Sequence, residues 1–471
     1  MRRTIIFALL LALAACTYPV RNEAITGDLA EYRYGELGPD RMNDTLVIVT
    51  ASGGGTRAAA LAMSVLKAMD KVQLRAGGTL AEEVDILSSV SGGSVAAAYF
   101  ALRGRDGFAE FDREFLLHNG MTALLSSGLG QLPALATPSR ERIDILIDYF
   151  DERLFKQRTY KELIDRRRRP YLILNAADMV EGSPFPFTQG TMDLLCSDLS
   201  KMKLSTAVAA SAAFPVAFSP VSLTNYRKCN TRSTPGWLKE ASDTPWYSDP
   251  SRVMWERTAS GYASGDKRYV HLLDGGIADN LGVAEPYRLL TSEDAAPLLR
   301  RQVADGRIKK IVFVLINARS AKPSDLDRNR ATPGILDQLM SSINSTLDRA
   351  TFNMAERLRV LLTEDFAQKA RDRDLTREER ANYATAARNI YLVPIDFHAI
   401  DDPKCRVQFH SIGTNWALPP ETLAGIDAIG EALFANNRVE FRKMLRAIGA
   451  VDPDLPFRTV AEACGTIKPR T

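Results

Sequence analysis

Apolar runs alternate with stretches of helical periodicity along most of this chain. Residues 46–49 are apolar throughout, which is typical of a strand buried on both faces of a parallel sheet. A glycine loop and an alanine-rich helix, from about residue 57 to residue 72, follow this strand. Further strands are predicted at residues 84–87, 171–174, 269–273, 311–316 and 391–393. Strands that alternate with helices indicate a three-layer α/β/α fold with a mostly parallel central sheet.

Two longer segments depart from this alternation. Apolar residues at three- and four-residue spacing predict a long helix that begins at Thr332 and Pro333. Residues 222–267 have no clear period and carry many Pro, Ser, Thr and Asn residues, so we expect a long loop excursion there. This excursion contains three of the four tryptophans, namely Trp237, Trp246 and Trp255. Their rings either pack a satellite core beneath the loop or lie at a boundary between water and lipid.

The amino-terminal segment has the features of an export signal. Arg2 and Arg3 precede an apolar run at residues 5–15, which is too short to span a bilayer comfortably. The run ends in Leu-Ala-Ala-Cys, which resembles a bacterial lipobox. We therefore predict a signal peptide at residues 1–15 and a lipid anchor on Cys16, which would attach the chain to the membrane of the bacterial envelope. Thr17 in place of Asp after the cysteine favours the outer membrane. The alternative is an ordinary cleaved signal with an incidental cysteine.

The rest of the chain is predicted to divide into three segments. Residues 16–44 are predicted to be a tether, residues 45–445 one α/β domain, and residues 446–471 a carboxyl-terminal tail.

The chain is 45% hydrophobic and 25% charged, as ordinary globular proteins are. Its formal net charge of +3 becomes +1 without Arg2 and Arg3. This near-balance offers no electrostatic basis for binding nucleic acid.

Four cysteines follow Cys16, and an exported protein meets an oxidising compartment in which disulfides form. Proximity in the sequence favours the pairs Cys196–Cys229 and Cys405–Cys464 among the three possible connectivities. Buried free thiols are the alternative.

Ser91 is the first candidate for chemistry. It lies in Ser89-Val90-Ser91-Gly92-Gly93, between a predicted strand and a predicted helix. A serine on such a sharp elbow holds its hydroxyl above the sheet edge, and small neighbours let the flanking elements pack closely. The usual pattern is Gly-x-Ser-x-Gly, and here Ser89 replaces the first glycine. The alternative is that Ser91 only caps the following helix.

A second strand-to-helix junction carries the glycine loop, which runs from Ser52 through Gly53, Gly54 and Gly55 to Thr56 and Arg57. Consecutive glycines let backbone N–H groups face a ligand at a helix amino terminus. One interpretation is an oxyanion hole for an acyl-transfer intermediate. Another is a phosphate cradle, although the loop lacks the endings of a P-loop and of a dinucleotide fold. The third interpretation is a tight turn that binds no ligand.

Asp274 is the candidate for a base, because it ends a predicted strand and precedes Gly275 and Gly276. The alternative is an ordinary Asp-Gly turn. The chain has only four histidines, and none follows Asp274 in a defensible triad arrangement. His271 lies three residues before Asp274 on the same strand, so the two side chains should face opposite ways. A Ser–Asp dyad with a desolvated carboxylate is therefore the simpler hypothesis.

The order of these motifs resembles the patatin-like phospholipase family. The Ser/Ala-rich block at residues 209–215, the continuation after Asp274 at residues 277–282 and the late segment at residues 411–416 agree with it. The resemblance covers residues 46–440 and implies a patatin-like three-layer fold. It implies that Ser91 is the nucleophile and Asp274 its activator, with Gly53, Gly54 and Gly55 around the oxyanion. It also implies supporting roles for Arg57, Gly93 and Gly276. Ser52 departs from the family, because plant members have Asp there.

The resemblance implies hydrolysis of acyl esters in phospholipids, lysophospholipids or simpler esters, with no metal and no organic cofactor. Two alternatives remain at this point. One is a lipid-binding envelope lipoprotein that keeps the scaffold without catalysis. The other is a serine hydrolase that depends on a histidine.

Overall fold

The computed structural model describes residues 19–27, 32–34, 43–119, 141–166, 169–215, 217–226, 238, 245, 250–291, 297–320, 330, 332–334, 338, 341, 358, 363–413 and 417–466. Several predicted features lie outside these residues: the signal peptide, Cys16, Cys229, Trp237, Trp246 and most of the long helix expected from Thr332.

In the part of the chain that the structure describes, eight strands form one mixed sheet. They are β1 (Thr45–Ala51), β2 (Val84–Val90), β3 (Tyr171–Asp178), β4 (Pro184–Pro186), β5 (Val221–Thr224), β6 (Tyr269–Asp274), β7 (Lys310–Asn317) and β8 (Ile390–Asp396). Their order across the sheet is β5-β6-β3-β2-β1-β7-β8, with β4 paired to β3. Neighbours from β3 to β8 along this order are parallel, whereas β4 and β6 run antiparallel to β3, and β5 runs antiparallel to β6. The prediction of a mostly parallel sheet is therefore confirmed.

Helices flank this sheet. The α-helices are α1 (Gly55–Asp70), α2 (Gly92–Arg103), α3 (Phe108–Phe111), α4 (Arg142–Phe150), α5 (Tyr160–Arg166), α6 (Gln189–Leu194), α7 (Leu204–Ser211), α8 (Pro250–Ala263), α9 (Gly276–Asp279), α10 (Ala284–Thr291), α11 (Pro297–Ala304), α12 (Arg377–Arg388), α13 (Pro403–His410), α14 (Pro420–Phe434), α15 (Arg438–Ile448) and α16 (Val460–Cys464). α1 packs against α2 and α14, and α7 packs on β3 and β6. The layers are those of the predicted three-layer α/β/α fold.

The two strands that precede the candidate motifs lie at the centre of the domain. All seven residues of β1 and all seven of β2 are buried. This burial explains their apolar character, because a parallel strand covered by helices on both faces has no solvent side. The register pairs Ala51 with Ser89, so the carboxyl ends of β1 and β2 lie side by side.

The segment at residues 222–267 is not the single long loop that the sequence predicts. β5 includes its first residues, and α8 occupies a further part. Trp255, Ala259 and Tyr262 lie toward the core at helical spacing. The helix is hard to recognise because four of its 14 residues are Ser, Thr or Gly, which favour helices weakly. Trp255 packs against the core with the guanidinium of Arg288 over its ring, so this tryptophan has the packing role.

The described parts of the predicted tether lie against the domain. Asn22 donates to the Ser197 hydroxyl at 3.0 Å and accepts from the Thr224 amide at 2.8 Å. Tyr32 is fully buried, and its hydroxyl accepts a hydrogen bond from the Leu172 amide at 2.7 Å. These contacts attach the arm to β5 and β3, which no local sequence period could indicate.

The predicted carboxyl-terminal tail is also packed on the domain. It contains the short helix α16, whose last residue, Cys464, forms a disulfide with Cys405 in α13. This bond confirms one predicted pair, and Cys196 is disulfide-bonded as well. Within the described ranges, no helix is both long enough and apolar enough to cross a membrane.

Candidate active site

The motifs meet at the carboxyl edge of the sheet, where the loops after β1 and β2 begin. β1 lies between β2 and β7, so the chain winds outward in both directions from this strand. Crevices at such switch points, outside the carboxyl ends of strands, are the usual ligand sites of open α/β sheets. The glycine loop follows β1, and Ser91 follows β2.

Ser91 has the backbone of a nucleophile elbow. Its φ of 52° and ψ of −121° lie in a region that residues with a side chain rarely adopt. It occupies the position before α2, but its side chain makes no capping hydrogen bond. The helix-capping alternative is therefore wrong for this hydroxyl.

The glycines after Ser91 allow two loops to touch. A Cβ at Gly92 would overlap the carbonyl group of Gly55, and a Cβ at Gly93 would lie 2.5 Å from the carbonyl oxygen of Ala51. Both obstacles are backbone atoms, which side-chain motion cannot relieve. The elbow therefore requires glycine at both positions.

Asp274 lies directly against Ser91. The Ser91 hydroxyl donates to Asp274 Oδ2 at 2.7 Å, and the Gly276 amide donates to Asp274 Oδ1 at 2.9 Å. The antiparallel register of β6 on β3 places Asp274 opposite Ala176, at the level of the elbow. The two side chains singled out from the sequence are thus brought together, and the simple Asp-Gly turn alternative does not account for this contact.

Both side chains are buried, and this burial affects the carboxyl group. Ser91 is 9% exposed and Asp274 is 7% exposed. Burial raises the pKa of Asp274 to about 6, against the opposing effects of the Ser91 hydroxyl and the Gly276 amide. A carboxylate with a raised pKa is a stronger base, which is the property a proton acceptor for serine needs.

No histidine completes the pair. All four histidines lie in described residues, and none is hydrogen-bonded to Ser91 or Asp274. His271 Nδ1 lies 2.7 Å from the Ser222 hydroxyl on β5, so it faces away from Asp274 as predicted. His398 and His410 lie near each other, beyond the end of β8.

The glycine loop supplies fewer free donors than the sequence suggests. The Gly53 amide donates to the backbone carbonyl of Asn280 at 3.1 Å and is occupied. Within the described structure, the amides of Gly54 and Gly55 donate to no other group. Gly54 has a φ of 138° and Gly55 a φ of 62°, a conformation that glycine adopts at little cost. A Cβ at Gly53 would be 3.3 Å from Ser91 Cβ, which places this loop beside Ser91.

Arg57 fixes the glycine loop to two neighbouring segments through its guanidinium group. Its guanidinium donates to the carbonyl oxygen of Ala318 at 2.8 Å and also to that of Ile412. It is 2% exposed, and burial lowers its pKa to about 10. Arg57 therefore ties the glycine loop to the end of β7 and to the late segment of the resemblance. The Ser52 hydroxyl accepts from the Ala318 amide at 2.9 Å, so this departure from the family serves the same junction.

Two residues near the pair were not singled out from the sequence. Ser211 accepts the Ser91 amide at 2.9 Å. The side chain of Asn280 lies between the glycine loop and the Asp274 turn, because a Cβ at Gly53 or Gly276 would be 2.6 Å or 3.0 Å from its Oδ1. The Ser/Ala-rich block and the segment after Asp274 were the available signals. Among the described side chains, no group of three or more His, Cys, Asp or Glu residues is arranged to hold a metal ion.

Comparison with known proteins gives the class. The family model described as patatin-like phospholipase matches residues 49–287, which is just over half of the chain. The chain therefore belongs to the patatin-like phospholipase family. Membership supports lipid acyl hydrolase activity, and the matched range contains the glycine loop, Ser91 and Asp274.

The remaining comparisons are sparse. No curated protein matches this chain. One similar solved structure is the human GIVD cytosolic phospholipase A2, with 12% sequence identity and a TM-score of 0.31. The similarity covers 67% of this chain and 51% of that one, so it extends over about half of the phospholipase.

Proposed function

We propose that this protein is a serine acyl-ester hydrolase that acts on phospholipids, lysophospholipids or related acyl esters through a Ser91–Asp274 dyad. One observation carries the proposal: a buried carboxylate accepts a 2.7 Å hydrogen bond from a serine on a strained elbow. Family membership supports the lipid class of substrate.

In the acylation step, Ser91 Oγ attacks the ester carbonyl carbon while its proton moves to Asp274 Oδ2. The tetrahedral intermediate carries its negative charge on the former carbonyl oxygen. When this intermediate collapses, the carbon–oxygen bond to the alcohol breaks, and the alcohol oxygen takes the proton from Asp274. The acyl group remains on Ser91. Water then attacks the acyl-enzyme while Asp274 accepts its proton. When the second tetrahedral intermediate collapses, the bond between the acyl carbon and Ser91 Oγ breaks, Ser91 Oγ takes the proton from Asp274, and the fatty acid is released.

The developing oxyanion is stabilised by backbone donors. The Gly54 and Gly55 amides are the donors we assign, because they have no other partner in the described structure. Gly53 is assigned the role of holding the loop, because its amide donates to Asn280. Loss of one such donor from a preorganised site costs roughly 100- to 1000-fold in kcat.

The proposal includes a membrane anchor on Cys16, in the outer membrane of the bacterial envelope. Two residues separate Cys16 from Pro19, the first described residue, and the arm from residue 19 to residue 27 lies against the domain. A lipid on Cys16 would then hold the domain within roughly 10 Å of the bilayer surface. Mass spectrometry of the mature amino terminus tests this: an unmodified cleaved chain would contradict it, and Cys16→Ser should leave the protein unprocessed.

The catalytic proposal is tested with a fluorophosphonate probe and two substrates, a short acyl ester and a long-chain phospholipid. We expect the probe to add to Ser91, and Ser91→Ala to lose both labelling and turnover by several orders of magnitude. Ser205→Ala is the matched control, because Ser205 is fully buried in α7 and its hydroxyl has no hydrogen-bond partner among the described residues. Turnover by folded Ser91→Ala at the wild-type rate would refute the assignment of Ser91 as the nucleophile. Absence of labelling and turnover in the wild type would favour a lipid-binding role.

A further inference from the structure

We propose that Ser211 is a positioning residue that holds the nucleophile elbow and the Asp274 turn in register with each other. The inference rests on the proposed function of Ser91 and Asp274. Ser211 is the last residue of α7, is fully buried, and lies in the Ser/Ala-rich block ahead of Pro215.

The Ser211 hydroxyl bridges two strands at the point where they separate. It accepts the Ser91 amide at 2.9 Å and donates to the carbonyl oxygen of Asn175 at 2.6 Å. Val90 and Asn175 form the last registered pair between β2 and β3. The hydroxyl thus connects the Ser91 amide, which follows Val90, to the Asn175 carbonyl oxygen. This bridge lies where the elbow turns away from the β2–β3 ladder.

The same residue holds the other half of the dyad through its backbone. The carbonyl oxygen of Ser211 accepts the Gly275 amide at 3.1 Å, and that of Ala213 accepts the Asp274 amide at 3.0 Å. A Cβ at Gly275 would overlap the Asn175 carbonyl oxygen, so this turn is packed against the acceptor of the Ser211 hydroxyl. The end of α7 therefore contacts both partners of the 2.7 Å Ser91–Asp274 hydrogen bond.

The direction of the hydrogen bonds makes Ser211 hard to replace. Its single proton is used in the 2.6 Å contact with Asn175. The Ser94 hydroxyl lies 2.8 Å from Ser211 Oγ and 3.1 Å from Ser89 Oγ, and its one proton can go to only one of these two oxygens. The bonds that fix Ser211 Oγ beneath the elbow are therefore the one it accepts from the Ser91 amide and the one it donates to Asn175.

The strained backbone of Ser91 explains why this contact affects catalysis. A positive φ in a residue with a side chain persists only when its surroundings hold it. Among the described residues, the Ser211 hydroxyl is the one acceptor of the Ser91 amide. Without it, the buried amide loses its partner and the elbow can relax. Such a shift would move Ser91 Oγ away from Asp274 and from the glycine amides.

The experiment compares Ser211→Ala and Ser211→Cys with the wild type and with the control Ser205→Ala. The cysteine variant keeps a side chain of similar shape but is a weaker acceptor, so it remains informative if the alanine variant does not fold. Three quantities are measured well below each melting temperature: the fluorophosphonate labelling rate at Ser91 per folded molecule, kcat and KM on a short acyl ester, and the pH dependence of kcat/KM.

We expect Ser211→Ala to lower kcat and the labelling rate by about 100-fold, which is the scale for roughly 1 Å of misplacement, with KM within about twofold. Ser211→Cys should lie between this variant and the wild type, and Ser205→Ala should equal the wild type. The midpoint of the acidic limb of the kcat/KM–pH profile should move to higher pH in Ser211→Ala, because the displaced Ser91 hydroxyl no longer lowers the pKa of Asp274.

The positioning role is refuted if folded Ser211→Ala or Ser211→Cys labels and turns over substrate at the wild-type rate. It is also refuted if activity falls only in proportion to the folded fraction. Failure of the proposed function has a different signature, because the wild type itself would then not label at Ser91.

Discussion

Ser91 donates a 2.7 Å hydrogen bond to Asp274 across 183 positions of sequence, and both residues are buried. The contact joins the end of β2 to the end of β6, two strands that both neighbour β3. Because no histidine is bonded to either residue in the described structure, the ionisation of this carboxyl group should control the chemistry.

The first prediction concerns the pH dependence of activity. Asp274 must be ionised to accept a proton, and burial raises its pKa to about 6. We therefore expect kcat/KM to fall about tenfold for each pH unit below about pH 6 and to be level above it. Steady-state kinetics from pH 4 to pH 8 on a short acyl ester measure this limb. A midpoint near pH 4 for the fall in kcat/KM would contradict the proposal that Asp274 is a desolvated base.

Histidine substitutions provide the control for this limb. His271→Ala, His398→Ala, His410→Ala and His118→Ala should each keep a limb near pH 6 and most of the activity. His410 is buried and packs near His398 and Phe397, so its variant should be assayed per folded molecule. A folded histidine variant as inactive as Ser91→Ala would restore the triad hypothesis.

The second prediction concerns stability. The pKa of Asp274 is raised from 3.8 in the unfolded chain to about 6 in the folded protein. Between these values the unfolded chain releases the proton first, so this group lowers the free energy of unfolding as pH rises toward 6. Asp274→Asn cannot ionise. Its stability relative to the wild type should increase by about 3 kcal/mol between pH 3 and pH 8.

Chemical denaturation at several pH values measures this difference, and the same variant should be nearly inactive. Asp279→Asn is a useful comparison. Asp279 is also buried, but its carboxylate accepts the amides of Leu281, Gly282 and Ala284. Its substitution should therefore destabilise the protein at neutral pH. A constant stability difference across the pH range for Asp274→Asn would contradict the raised pKa.

The local features of the site could be predicted from the sequence because they depend on short-range chemistry. β1 is apolar throughout because it is covered on both faces, and the elbow at Ser91 needs small neighbours because two loops touch there. Each of these requirements determines residue types within a short stretch of sequence, so it can be recognised there. The predictions for Ser91 and Asp274 rest on such local features.

Other features depend on contacts between distant segments, which leave no local mark. The Gly53 amide is occupied only because Asn280 lies above it in the fold, so the number of free donors could not be counted from three glycines. β5 alternates buried and half-buried residues, but four residues are too few to indicate a strand by themselves, and β5 pairs with the edge that β6 provides. The importance of Ser211 likewise depends on where α7 ends.

The third prediction concerns the glycines of the elbow. Gly92→Ala places a methyl group against the carbonyl of Gly55, and neither backbone segment can move without disturbing the site. We expect loss of activity by at least about 100-fold, with a lower melting temperature or a loss of soluble protein. Gly190→Ala is the matched control. A Cβ there would meet only the Thr188 hydroxyl oxygen at 3.9 Å, an ordinary contact. A fully active Gly92→Ala protein would show that the two loops lie further apart.

The fourth prediction concerns the Cys405–Cys464 disulfide, which closes a loop between positions 59 residues apart. In the chain-entropy account, closing a loop of this length restricts the unfolded chain and stabilises the fold by about 4 kcal/mol. The double variant Cys405→Ser/Cys464→Ser should therefore have a lower melting temperature, because its unfolded state is no longer restricted.

Activity should respond differently from stability in this double variant. α13, which carries Cys405, ends two residues before Ile412, whose carbonyl accepts the Arg57 guanidinium beside the glycine loop. That contact does not require the disulfide once the domain is folded, so kcat on a short ester at 25 °C should stay within about threefold of the wild type. Denaturation and kinetics are measured on the same preparations, with reductant added to the wild type as a comparison. An unchanged free energy of unfolding would refute the stabilising role. A large fall in kcat in fully folded protein would show instead that the disulfide holds the Arg57 acceptor in place.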